Sequence, residues 1–275
     1  MTKPLVIYHG NCQDGFTAAW VMHGWFEAHG HKAEYFAAHY APEGERVELP
    51  EVVGREVYMV DFSTGRDQLI DINADAKSFV VLDHHKTAQA ACEGLEFCEF
   101  DMDRSGAMLA WDFCWRGRPA PWIVQYAQDR DLWRWALPRS REVNAFLASQ
   151  ELTLESWSRI GNGAMTWVEA ADRGRGALDF VDNYVRSQQQ RARRGTFAGH
   201  PDIPVINTTT AISELVGALA ETAAFAVGWF EREDGKLIYS LRSRGDFDVS
   251  AVAKQFGGGG HKNAAGFTVA ERVHP

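Results

Sequence analysis

Through the first hundred residues, short apolar runs alternate with stretches of helical periodicity. Pro4 to His9, Glu56 to Phe62, Lys77 to Leu82 and Leu95 to Phe100 read as strands, and Asp14 to His29 and the stretch near Arg66 to Ala74 as helices. This alternation predicts an α/β unit, a mostly parallel sheet with helices on both faces. In such sheets ligands bind beyond the C-terminal ends of the strands.

From Gly106 to about Gln150 the pattern turns helical, with GAMLAWDFCW and PWIVQYAQDRDLWRWAL as amphipathic pieces. Most of the tryptophans fall between Trp111 and Trp167, where helix packing is the simpler reading than base stacking. A long polar helix is predicted from roughly Ala177 to Arg194, with few apolar residues after Val185 and Gly195 to end it. It reads as a linker, and Arg191, Arg193 and Arg194 as its solvated end. A smaller α/β unit follows: a strand (Ile203 to Thr208), a helix (Ile212 to Glu221), a hairpin about Glu233, Asp234 and Gly235, a helix (Val249 to Gln255), then a glycine run into a last strand. The division expected is 1–176, a linker at 177–200, and 201–275.

Composition narrows the class. The chain is 45% hydrophobic and 24% charged, as in ordinary globular proteins. No apolar run approaches the roughly 18 to 20 residues that span a bilayer, and MTKPLVIYHG lacks the apolar core of a signal peptide. A cytoplasmic protein without membrane partners is expected. Cys12, Cys92, Cys98 and Cys114 show no paired CxxC spacing, so they are read as reduced thiols. The net charge of −9 argues against tracking long duplex nucleic acid but allows a small anionic substrate at a local site.

Each strand of the first unit that should lie near its centre ends in ionisable residues. The first runs into His9 and then NCQDG, giving Cys12 and Asp14; EVYMV runs into Asp61; SFVVL runs into Asp83, His84 and His85. Charges gathered at one sheet edge repel and desolvate one another unless a cation compensates them, so a metal site is the economical explanation. His with Asp favours Mn²⁺, Fe²⁺ or Zn²⁺ over Ca²⁺, and a shared carboxylate would make a centre of the kind that activates water against phosphorus. In YAQDRDLWRW, Asp129 and Asp131 are two apart and point away from each other on a helix, so only one can face the metals.

The run GGGGHKNAAGF at 257–267 resembles neither a Walker loop, since no Gly-Lys-Ser/Thr closes it, nor a dinucleotide-fold loop. Its glycines, Gly258, Gly259 and Gly260 among them, leave backbone N–H groups open to an anion, and His261 could add a donor. Arg242 and Ser243, at a strand end, suit a phosphate or carboxylate.

With HGNCQDG at 9–15, Asp61 in VDFS, DHH at 83–85, the acid of AQDRD at 129, and RS at 242 and 243 before GGGGHKNAAGF, the chain resembles the DHH phosphoesterase superfamily, in the branch with a DHH-associated C-terminal domain. That resemblance implies a two-domain fold with the active site in a cleft, and two divalent ions, Mn²⁺ in the family. It implies hydrolysis of phosphoester or phosphoanhydride bonds by a two-metal-activated water. Carried over by motif, His9 and Asp61 would hold the first metal, and Asp14, Asp61, His84 and Asp129 the second. Asp83 would orient a neighbouring ligand and His85 would sit against the scissile phosphate. Arg242, Ser243 and His261 would grip a phosphate, and Ser105 would either touch substrate or simply cap its helix. Cys12 departs from the family, whose members often carry a ligating Asp there; the sequence leaves open whether its thiolate replaces the carboxylate.

Short oligonucleotides and linear dinucleotides such as pGpG rank first as substrates. Cyclic dinucleotides and 3′-phosphoadenosine phosphate come next, then polyphosphate, and a non-catalytic nucleotide sensor is the rival from another class. A homodimer is allowed but has no support in the sequence.

Overall fold

The computed structural model describes residues 2–41 and 45–273. They divide into two compact units, with the boundary between Leu178 and Asp179. The first contains β1 (Leu5–His9), α1 (Gln13–Ala28), β2 (Glu34–Ala38), β3 (Glu56–Val60), α2 (Arg66–Asp75), β4 (Ser78–Asp83), α3 (Gln89–Cys92), β5 (Cys98–Phe100), α4 (Gly106–Cys114), α5 (Trp122–Asp131), α6 (Ser140–Ala148) and α7 (Leu154–Gly161). The unit boundary falls within α8 (Trp167–Gln189). The second unit continues with β6 (Arg193–Phe197), β7 (His200–Asn207), α9 (Ile212–Leu219), β8 (Phe225–Glu231), β9 (Leu237–Ser243), α10 (Val249–Lys254), β10 (Gly259–His261) and β11 (Ala264–Val269).

The first sheet has the order β2-β1-β3-β4-β5 and is parallel throughout. Its central strands are buried on both faces, which explains their near-continuous apolar character. Leu5, Ile7, Val57, Met59, Phe79 and Val81 pack with Leu69 and Ile72 of α2. On the other face Val6, Tyr58, Val60 and Leu82 join Phe16, Leu109, Ile123 and Trp157. Trp157 is fully buried, and its indole N–H donates to the Thr17 hydroxyl at 3.1 Å. Each such side chain contributes about 1.5–3 kcal/mol through its burial.

Strands β2 and β6 depart from the sequence expectation. Strand β2 lies in KAEYFAA, which lacks β-branched residues; its pairing with β1 decides its conformation. Residues 193 and 194, expected at a helix end, instead begin β6, antiparallel to β7. The Arg194 guanidinium donates to the Asp202 carboxylate at 2.6 Å and to the Thr222 hydroxyl, contacts that a continued helix would forgo.

The second sheet has the order β10-β11-β9-β8-β7-β6 and is antiparallel except for β7 beside β8. Phe197, Phe225, Tyr239, Leu241 and Phe267 form one core with Val249 and Val252 of α10; Leu215 and Val216 of α9 cover Ile206 and Ala226 in another. Among the described residues no helix is long and apolar enough to cross a membrane.

Candidate metal centre

Strands β1, β3 and β4 are parallel neighbours, so their C-terminal ends open on one edge. His9 ends β1, Asp61 follows β3, and Asp83 ends β4 with His84 and His85 directly after. Asp61 has a left-handed backbone (φ 54°), a conformation that costs on the order of 1 kcal/mol and that Asp tolerates better than most residues. Its N–H donates to the Leu82 carbonyl at 2.8 Å, joining the turn to β4.

Asp61 is the hub. One carboxylate oxygen lies 3.0 Å from His84 Nε2 and the other 3.5 Å from His9 Nδ1. His84 Nε2 is also 3.5 Å from Asp131 and 3.9 Å from Asp14. Asp83 Oδ1 accepts from the backbone N–H groups of His84 (2.7 Å) and His85 (3.2 Å) and from His85 Nδ1 at 2.7 Å, which fixes that ring.

Close packing brings the helices onto this edge. The N-terminus of α4 meets Asp61 through Gly106, where a methyl group would lie 2.3 Å from the Asp61 Cβ. At Gly15, in the first turn of α1, a methyl would lie 2.5 Å from the His9 carbonyl oxygen. Asp14 accepts the Ala107 N–H at 3.2 Å, placing a carboxylate at the positive end of α4. Ser105 is fully buried, and its hydroxyl accepts the Met108 N–H at 3.4 Å. Ser105 therefore caps α4 and supports Asp14 from a fully buried position.

The charges are strongly interdependent. Burial, then the Asp61 and Asp131 carboxylates, push Asp14 well above the usual carboxylate range. Asp131 is raised by burial against the pull of His84. Burial opposes ionisation of Asp61, yet the hydrogen bond with His84 and the nearby His9 imidazole at 3.5 Å hold it well below the usual value. For His84, burial works against the charge, but the Asp61 hydrogen bond and the surrounding carboxylates raise the imidazole to about 10. Burial also opposes the charge on His85, which Asp83 nonetheless raises.

Two groups in this unit bring their ligand atoms within 4.8 Å of one another: His9, Asp61 and His85, and Asp14, Asp61 and His84. Among the described residues, buried His9 Nδ1, Asp61 Oδ2 and Asp131 Oδ2 find no hydrogen-bond partner. Imidazoles and carboxylates gathered around such atoms fit divalent Mn, Fe or Zn.

The acid pair of α5 is a correction. Asp129, the expected ligand, spends its two oxygens on the backbone N–H groups of Ala136 (2.9 Å) and Leu137 (3.3 Å), while Asp131 faces His84. Cys12 belongs to neither group, and burial with the Asp61, Asp131 and Asp14 charges holds its thiol well above the ordinary range, so without a cation it is neutral. Tyr40, unnoticed in the sequence, packs its ring 5.3 Å from His9 and 5.9 Å from His85 while staying 50% exposed. Its only sequence signal was an aromatic residue just beyond an apolar run. Gly15 closes the HGNCQDG stretch and Gly106 opens a helical run, but neither showed in sequence how closely it packs on the strand ends.

RecJ in complex with Mn²⁺ from Thermus thermophilus superposes on 97% of this chain with a TM-score of 0.51 and 15% identity, the match covering 49% of RecJ. The chain has the DHH/RecJ-like fold. An exopolyphosphatase-related protein from Bacteroides fragilis shares it (TM-score 0.51, 12% identity, 98% of this chain and 88% of that one). Residues 203–274 match the DHHA1 domain. An uncharacterized protein of Acanthamoeba polyphaga mimivirus is 28% identical over 280 residues, 95% of this chain and 66% of that protein, so the chain spans about two thirds of this curated relative. The chain thus joins a DHH/RecJ-like fold to a C-terminal segment, residues 203–274, that matches the DHHA1 domain.

Within the DHHA1 domain the expected phosphate grip is partly committed to the fold. The Ser243 hydroxyl, 7% exposed, donates to the Phe247 carbonyl at 2.7 Å and accepts from Asn263 at 2.9 Å, so it closes the 243–247 turn and ties it to Asn263. Arg242 Nη2 donates to the Ser213 hydroxyl at 2.8 Å and Nη1 to the Leu241 carbonyl at 2.9 Å. Gly259, Gly260 and His261 are strand β10 rather than an open loop. A methyl at Gly258 would lie 2.1 Å from the Gly266 carbonyl oxygen, and Gly260 sits at φ 134°, so the glycine run lets this hairpin close.

Proposed function

We propose that the chain is a metal-dependent phosphohydrolase, with Mn²⁺ its ion, acting on short oligonucleotides or linear dinucleotides such as pGpG. The Asp61 carboxylate carries the reading: buried and flanked by His9 on one oxygen and His84 on the other, it is built to be shared between two cations.

His9 and His85 with Asp61 would hold one ion, and Asp14, His84 and Asp131 with Asp61 the other. Bound there, divalent ions lower the pKa of water and neutralise charge on phosphate oxygens. The remaining work falls to the chain. Asp83 holds His85 Nδ1 at 2.7 Å, leaving Nε2 as the nitrogen that can meet an ion or a phosphate oxygen. The N-terminus of α4 sets a positive dipole beside Asp14 and Asp61. A net charge of −9 favours a small substrate over long duplex.

The purified Mn²⁺-loaded chain should release mononucleotides from a panel of di- to pentanucleotides that includes pGpG. Cyclic dinucleotide, 3′-phosphoadenosine phosphate and polyphosphate in parallel arms rank the alternatives. Release from none of them sinks the hydrolase reading and leaves a nucleotide sensor.

A further inference from the structure

Five tryptophans of the helical region, Trp111, Trp115, Trp122, Trp157 and Trp167, pack in or against the first unit's core. Trp133 and Trp135 do not. Both have left-handed backbones, φ 53° and 51°, an arrangement that costs a bulky residue on the order of 1–2 kcal/mol and that persists only where the surroundings enforce it. The enforcement is visible: the Asp129 carbonyl accepts the N–H groups of Arg134 (2.8 Å) and Trp135 (3.3 Å), its carboxylate those of Ala136 and Leu137, and Arg134 Nη2 donates to the Asp103 carbonyl at 2.7 Å. The loop holds the two indoles edge to face, centroids 5.0 Å apart at 76°, with Trp133 38% exposed. Trp133 follows by two residues Asp131, whose carboxylate lies 3.5 Å from His84.

We propose that Trp133 and Trp135 form a nucleobase-stacking platform beside the metal centre, so that the substrate is a nucleotide rather than inorganic polyphosphate; the bond that is cut rests on the phosphohydrolase reading above. Hydrophobic packing does not account for a strained, pinned and exposed indole, whereas a stacking surface held in the loop that follows Asp131 does. Stacking is sequence-tolerant because every base offers a π-face, and alanine substitution at such a platform typically weakens binding by roughly five- to a hundredfold. Arg134, between the two indoles, adds a cation to the same loop.

The test is calorimetric titration of the Mn²⁺-loaded chain with adenosine 5′-monophosphate and with inorganic phosphate, alongside melting curves. The unsubstituted chain should bind the nucleotide more tightly than phosphate. Trp133→Ala and Trp135→Ala should each weaken the nucleotide by about tenfold and leave phosphate within about twofold. Trp133→Phe should retain most of the affinity, and Trp133→Leu, equally apolar but without a π-face, should behave as the alanine variant; this pair decides the matter if Trp133→Ala does not fold. A nucleotide-to-phosphate affinity ratio unchanged by these substitutions, or no preference in the unsubstituted chain, overturns the platform. Failure of the two readings can be told apart. Tryptophan-dependent nucleotide binding without turnover keeps the platform and loses the hydrolase, and turnover indifferent to Trp133 does the reverse.

Discussion

Asp61 lies 3.0 Å from His84 through one oxygen and reaches His9 through the other, in a left-handed turn between β3 and α2. Asparagine tolerates the same backbone, so Asp61→Asn should leave the fold intact while removing the charge. Mn²⁺ should raise the melting temperature of the unsubstituted chain, by an amount equivalent to about 2.7 kcal/mol at a hundred times Kd, and should do so far less in the variant. Equal Mn²⁺-induced shifts would remove Asp61 from the centre.

The two acids of α5 should separate by phenotype. Asp129→Asn weakens acceptors for the Ala136 and Leu137 N–H groups and should lower stability by about 1–3 kcal/mol in urea unfolding. Asp131→Asn should instead weaken Mn²⁺ binding with little loss of metal-free stability. The opposite assignment would restore Asp129 as the metal-facing acid.

Gly106→Ala places a methyl 2.3 Å from the Asp61 Cβ, and neither α4 nor the β3 turn is a flexible side chain that can yield. A loss of roughly 1–3 kcal/mol is expected, with weakened Mn²⁺ binding. Gly176→Ala, where open space surrounds the added methyl, is the control and should be neutral or better. Similar melting temperatures for the two variants would show that α4 can retreat from Asp61.

Cys98 should be the first thiol alkylated. A hydrogen bond with Cys92 lowers its pKa against the effect of burial, whereas burial pushes Cys114, 3.4 Å from Met22 Sδ, up to about 12. A lowered pKa gives more thiolate at a given pH, so the iodoacetamide rate at Cys98 should reach half-maximum at a lower pH than at Cys114. Cys92→Ala should move that midpoint upward. Peptide mapping that finds Cys114 labelled first would contradict the arrangement.

What the sequence determined by itself is the part carried by local pattern. The β-branched strands ending in His9, Asp61 and Asp83-His84-His85 are buried on both faces, and such runs form central parallel strands whose ends must share an edge. The side-by-side placement of these three strands, helix α1 and the gathering of acid and imidazole were therefore legible. Which of two acids faces that edge was not, because spacing alone only shows that Asp129 and Asp131 diverge; the demand of the Ala136 and Leu137 amides for an acceptor settles it. The same holds for Ser243, a plausible phosphate donor in sequence whose hydroxyl closes a turn, and for β2 and β6, made strands by their partners. Trp133 and Trp135 looked in sequence like their neighbours, yet among the described residues only those neighbours join the first unit's core. Periodicity reports which residues leave water, a local preference; the assignment of hydrogen-bond partners and the close approach of Gly106 to Asp61 depend on residues far apart in sequence, and only the tertiary structure decides them.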